Sequence, residues 1–183
     1  MDVEREDGRP LRKRKLPRKI SQTYLENAAL FHLQRYACSA KQLKFVLLRK
    51  TRRSLRAHGG DLEEATGWID ELIIKLERNL CLDDAKFAQM KADSLRASGK
   101  SRRVIELKLR QKGVSPKMVA EHGLRVSTEV SEEDAARVHA RKKRLGPFRS
   151  SAEARAQWRQ KDLASLARAG FSYTTAKKVV DGA

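Results

Sequence analysis

The chain has 183 residues, 35% of them charged and only 5% aromatic, a balance too poor in large apolar side chains for one extended core and better matched to several small ones. A formal net charge of +18 and a pI near 10.4 predict attraction to a polyanion or an acidic protein surface, with strong salt dependence if nucleic acid is the target; a merely solvated basic surface is the plain alternative. Cys38 and Cys81 are the two cysteines, neither in a CxxC or ligand-rich context, and no window approaches a membrane span, so a reduced cytoplasmic protein without export or anchoring is expected.

Residues 1–20 read as a disordered basic arm. An acidic start leads into Arg9, Arg12, Lys13, Arg14, Lys15, Arg18 and Lys19, with two prolines and no acid among them, rather than into an apolar signal segment. Such an arm either seeks phosphates or is simply solvated.

A first helical module is expected over 21–80. Leu25, Ala29, Leu33 and Tyr36 follow three- and four-residue steps and predict one buried stripe. Ser39 with Gln42 forms a capping-box pattern ahead of Leu43, Val46 and Leu47, and this second helix runs on through the basic segment Arg49 to Arg56. His58-Gly59-Gly60 breaks it. Asp61 then caps a third helix, whose Leu62, Ala65, Ile69, Leu72, Ile73, Leu76 and Leu80 make the clearest amphipathic face of the chain.

The second module spans 81–126. Asp83 caps a helix bearing Phe87, Ala88, Lys91, Ala92 and Leu95, and Asp84 suits its positively polarised first turn. Gly99 stops that helix, and Ser101 starts the next, with Val104, Ile105, Leu107 and Leu109. Ser115-Pro116 opens a short third helix, proline fitting the first helical position.

The third module spans 127–183. Ser131 followed by Glu132, Glu133 and Asp134 marks a helix start, with Ala135, Val138 and Leu145 on one face and the stem of Lys142 laid along it. Gly146-Pro147 ends that helix. Arg155 to Ala169 carries Trp158, Leu163 and Leu166, and Tyr173 to Val180 closes the chain. No segment alternates with period two, so no strand is expected.

The stretch Leu109-Arg110-Gln111-Lys112-Gly113-Val114-Ser115 recurs as Leu166-Ala167-Arg168-Ala169-Gly170-Phe171-Ser172. Gly113 and Gly170 each sit where a left-handed residue ends a helix, and Ser115 and Ser172 where an N-cap begins the next. A recurring helix junction of this kind implies stacked small units. The fold class is therefore all-α: three tandem three-helix modules, helix-turn-helix-like.

Catalytic chemistry is not legible. Gly59-Gly60 lacks the lysine and hydroxyl of a phosphate-binding loop, and His32, His58, His122 and His139 are too scattered for metal-ligand spacing. Asp83 and Asp84 point in different directions on a helix and suit capping better than a carboxylate pair. Cys81 lies between Leu80 and Leu82, an apolar setting that would raise a thiol pKa. No catalytic, cofactor or metal residue is assigned. Two basic groups remain as candidates for partner contact: Arg102, Arg103, Lys108, Arg110 and Lys112 around the second-module turn, and Arg141, Lys143 and Arg144, of which Arg141 and Arg144 could project together three residues apart. Trp68 and Trp158 fall in amphipathic segments and read as packing residues rather than base-stacking ones.

Leu82-Asp83-Asp84-Ala85-Lys86-Phe87-Ala88, then Gly99 through Arg103, then Lys108-Leu109-Arg110-Gln111-Lys112-Gly113-Val114 resemble the RecX family of bacterial regulatory proteins in order and spacing. The tail Arg144-Leu145-Gly146-Pro147-Phe148, Asp162-Leu163 and Leu166 to Tyr173 resembles the family's third module, and the likeness runs from about Ser21 to Val180. In two places the chain departs from the family: Leu80-Cys81 replaces a glycine and an aromatic, leaving Asn79 as the nearest residue tolerant of a left-handed helix end, and extra residues lie around Thr51 to Gly60. The resemblance implies that the three modules form an elongated curved rod, a non-enzymatic, monomeric regulator that binds the RecA recombinase filament and restrains its strand exchange and ATP turnover, with weaker contact to single- or double-stranded DNA. The alternative is a general DNA-binding protein using its basic helix-turn-helix-like modules.

Overall fold

The computed structural model describes residues 16–123 and 130–182, and among them the chain forms helices and turns with no strand. The order is α1 (Gln22–Leu33), α2 (Ala40–His58), α3 (Leu62–Arg78), α4 (Asp84–Ala97), α5 (Arg102–Gln111), α6 (Pro116–Met118) continuing as a π-helical segment Val119–Gly123, α7 (Glu132–Lys143), a 3-10 turn Gly146–Phe148, α8 (Ala152–Arg168) and α9 (Tyr173–Asp181). The expected short helix after Ser115 is thus one α-turn that widens into π geometry.

Hydroxyl and carboxylate caps set the starts. Ser21, Ser39, Asp61, Asp83, Ser115, Ser131, Ser151 and Ser172 each accept a hydrogen bond from a backbone N–H two or three residues on, satisfying an amide that has no partner inside its helix. At Ser131 the box is reciprocal, Asp134 accepting from the Ser131 amide. Hydrogen bonding to Ser131, opposed by slight desolvation, holds the Asp134 carboxyl below its ordinary range.

Three separate apolar clusters form. The first gathers Leu25, Leu43, Leu47, Ile69, Leu76 and Leu82, with Trp68 packed at its edge; the second Phe87, Ala88, Ile105, Leu109, Val114 and Val119; the third Ala136, Ala140, Leu163, Leu166, Phe171 and Val179. The apolar residues of the two glycine turns, Val114 and Phe171, are therefore core residues of their respective clusters.

The structure corrects several expectations. Tyr36 lies beyond the end of α1 and is exposed, so the first stripe is only Leu25 and Ala29 with Leu33 half-buried. Leu80 is not on the buried face of α3. It takes the left-handed conformation itself (φ +56°) and is 84% exposed, while the Cys81 and Leu82 amides both turn back to the Leu76 carbonyl and close the helix end. Residues 1–15 of the expected arm lie outside the described residues. Residues 16–20 run along α2 instead, where the Pro17 carbonyl meets His58 Nε2 at 2.6 Å and the Arg18 carbonyl accepts from the Ser54 hydroxyl at 2.7 Å.

The clusters are linked by a joint that occurs twice. The Ser39 hydroxyl at the start of α2 donates to the carbonyl of Lys112 beside Gly113, and the Ser101 hydroxyl at the start of α5 donates to the carbonyl of Ala169 beside Gly170 at 2.6 Å. One residue on, the Ala40 amide donates to Asp84 Oδ1 at 2.8 Å, and the Arg102 amide to Glu132 Oε1 at 3.1 Å. Asp84 and Glu132 are each the first residue of the following unit's leading helix. So the positively polarised N-terminus of one unit's middle helix docks against a turn carbonyl and a carboxylate of the next unit.

Candidate functional site

Each glycine turn is tight because another unit sits on it. Gly113 has φ +89° and Gly170 φ +87°, and a Cβ at either position would lie 2.6 Å from the neighbouring unit, against Lys41 Cβ or Ser101 Oγ respectively. Asp84 lies in the first turn of α4, as expected, and also caps α2 across the joint, while Asp83 caps α4. Glu132 also takes Arg96, a guanidinium only 3% exposed, and Lys142 reaches over to donate to the Ser98 carbonyl at 2.9 Å. The second and third units are therefore clamped by charge as well as by hydrogen bonds.

The predicted basic residues divide between these joints rather than forming one patch. Arg102 starts α5; its amide serves the joint and its Nε pairs with Glu106 at 3.3 Å. Arg103 packs its Cβ near Gly170. Arg110 and Lys112 line a depression at the other joint, with Lys41, Gln42 and Phe45 of α2 opposite. Lys108 is exposed on α5 one turn from Lys112. Arg141 and Lys143 are exposed in the last turn of α7, but Arg144 is its left-handed cap (φ +54°), so Arg141 and Arg144 do not share a helical face.

Sequence reasoning did not assign a further basic surface, on α2. Lys41, Phe45, Arg49, Arg52 and Arg56 recur every three or four residues on one face of α2, with Arg53 at its edge and the buried Leu43, Leu47, Thr51 and Ser54 on the opposite face. The α2 sequence contains no acid, and among the described residues none of Arg49, Lys50, Arg52, Arg53 or Arg56 is paired with a carboxylate. The signal was present in the spacing of Arg49 to Arg56, but the helical phase of Phe45 relative to the core only emerges once α2 is docked.

No group of three or more His, Cys, Asp or Glu side chains among the described residues is placed to hold a metal. Cys81 is exposed rather than enclosed by its leucine neighbours; it is Cys38 whose thiol is pushed up, first by burial and then by the Asp84 carboxylate. His139, edge-on to Phe171 at 5.9 Å, is shifted toward its neutral form by burial and by the nearby Lys100 and Lys143 ammonium groups. Trp158 is half-buried under two cations, Lys161 Nζ at 4.0 Å and the Arg149 guanidinium at 5.3 Å from the ring centre. No described helix is long and apolar enough to cross a membrane.

Residues 83–122 match the family model described as RecX, second three-helix domain, which covers α4 to the π-helical segment. The chain is 58% identical over 167 residues to a protein of Myxococcus xanthus (strain DK1622) named regulatory protein RecX, covering 91% of this chain and 89% of that relative. It is 31% identical over 159 residues to the protein of that name from Agrobacterium fabrum (strain C58 / ATCC 33970), covering 86% and 82%. No solved structure matches it significantly.

Proposed function

The chain belongs to the RecX family of regulatory proteins, and on that premise we propose that it binds the filament of the RecA recombinase in the cytoplasm and restrains ATP turnover, filament growth and strand exchange without catalysis of its own. The observation that carries this reading is the recurring joint. Ser39 with Asp84, and Ser101 with Glu132, step one three-helix unit onto the next through the same pair of hydrogen-bond types. Units held in a constant register suit a partner that itself repeats, and contacts that are weak singly add through effective concentration when several engage together. The exposed cations Lys108, Arg141 and Lys143 offer contacts for acidic surfaces along such a filament.

Regulation then follows from linkage. Preference for one filament state shifts assembly and turnover by the difference in affinity between states. The test is DNA-dependent ATP hydrolysis by the recombinase with substoichiometric full-length protein. Suppressed hydrolysis supports the reading, and unchanged hydrolysis at excess protein overturns it.

A further inference from the structure

We propose that the cationic face of α2 is a binding site for single-stranded nucleic acid, with phosphates along Arg49, Arg52, Arg53 and Arg56 and a base stacked on Phe45. The helix presents these residues together because positions 45, 49, 52 and 56 return to one side every turn, over about 16 Å of helix. Phe45 is 63% exposed although it belongs to a helix with a well-filled buried face. Its ring stands between two sets of cations, the arginines of α2 on one side and, on the other, Lys41 one turn earlier on α2 with Arg110 and Lys112 across the depression.

The chemistry selects the occupant. A row of guanidiniums unpaired with any carboxylate among the described residues fits phosphate oxygens, which they can grip two at a time. A flat ring with no polar atom, set among those cations, matches a base face. Bases in a duplex are stacked inside and present no free face to it, so the ring favours a single strand. The depression at the first joint continues this row from one unit to the next, so a strand can pass from Arg56 across Phe45 to Arg110. The site goes beyond the recombinase reading and stands without it.

The experiment is fluorescence anisotropy of the full-length protein with labelled oligothymidylate, the corresponding duplex and a labelled polyglutamate peptide, each across a salt series and in the absence of recombinase. Phe45→Ala is expected to weaken single-strand binding about five- to a hundredfold with the salt slope retained, and Phe45→Trp to preserve binding. Arg49→Gln with Arg53→Gln should flatten the slope of log affinity against log salt by about 0.7 for each phosphate that the protein no longer neutralises. Arg168→Gln with Lys177→Gln removes the same charge elsewhere and should change neither quantity. All replaced side chains are exposed, and matching circular dichroism and melting curves establish that the variants are folded. Unchanged affinity in Phe45→Ala, equal binding of duplex or polyglutamate, or an equal effect of the distant charge control would each overturn the proposal.

Discussion

The hydroxyl of Ser101 donates to the carbonyl oxygen of Ala169 at 2.6 Å, and Ser101 is wholly buried where the second and third units meet. Unlike most helix starts in this protein, it accepts no hydrogen bond from its own helix, so its polar capacity is spent between units. Ser101→Ala would leave a carbonyl desolvated and unpaired, and is expected to cost about 1–3 kcal/mol in urea denaturation. Ser39→Ala should do the same at the other joint. The two share no partner, so the double variant should be additive to within about 0.5 kcal/mol. If neither replacement lowers stability, the joints are contacts without energetic weight.

The glycine turns allow a sharper comparison. Gly113 and Gly170 combine positive φ with a neighbouring unit 2.6 Å from the missing Cβ, whereas Gly182, left-handed at φ +78° and ψ +23°, has nothing within 4 Å. Gly182→Ala should therefore show at most the left-handed backbone cost of about 1–2 kcal/mol. Gly113→Val and Gly170→Ala must add displacement of Lys41 or Ser101, and should melt at lower temperature than Gly182→Ala. Equal melting temperatures for Gly182→Ala and Gly170→Ala would mean that the joint yields freely.

Much of the fold was legible because it is local. Ser39, Asp61, Asp83, Ser115, Ser131 and Ser172 cap where their side-chain chemistry predicts, and the repeated leucine-glycine-serine stretch marked both turns. What was hidden is non-local. Asp84 reads as a first-turn acid of its own helix, yet it serves an amide 44 positions away. Leu80 reads as the last apolar position of α3, but the Leu76 carbonyl takes the two amides that follow and turns it out to water. The α2 arginines were visible as charge but not as a face, since that requires knowing which side of the helix the core claims.

The third unit carries a buried charge pair open to a pH test. Asp162, 1% exposed, accepts from Arg149 Nη2 at 2.6 Å, from Arg149 Nε at 2.7 Å and from the Gly146 amide at 2.8 Å. Burial pushes its carboxyl up, but the Arg149 hydrogen bonds, the Gly146 amide and the guanidinium charge outweigh that and hold it below the ordinary 3.8. A carboxyl lowered on folding stabilises the native state above its unfolded value, and that contribution is lost as pH falls through the lower folded value. Asp162→Asn should cost about 3 kcal/mol near neutral pH, where it strands a guanidinium. The gap between wild type and variant melting temperatures should be constant above about pH 5 and close below 3.8. A gap that persists unchanged at the acid end would place the stabilisation in packing rather than in the ion pair.

The division of basic residues between joint and surface separates two kinds of variant in the recombinase assay. Arg102→Glu puts a carboxylate beside Glu106, its present partner, and near Glu132, which already accepts the Arg102 amide. It is therefore expected to destabilise the joint between the second and third units, lowering the melting temperature along with inhibition. Lys108→Glu with Arg141→Glu alters exposed positions in the last turns of α5 and α7 that have no role in either joint, so the loss of stability should stay within the roughly 0.3–1 kcal/mol per site set by the helix dipole, and the protein should remain folded. If these cations meet acidic filament surfaces, the reversal should weaken co-sedimentation with the filament about tenfold at low salt, and the difference should shrink toward unity near 1 M salt as screening shortens to about 3 Å. Inhibition of ATP hydrolysis should fall in parallel. A Lys108→Glu, Arg141→Glu protein that is folded and inhibits as well as wild type at low salt would remove both residues from the contact surface and leave the α2 face and the first joint as the place to look.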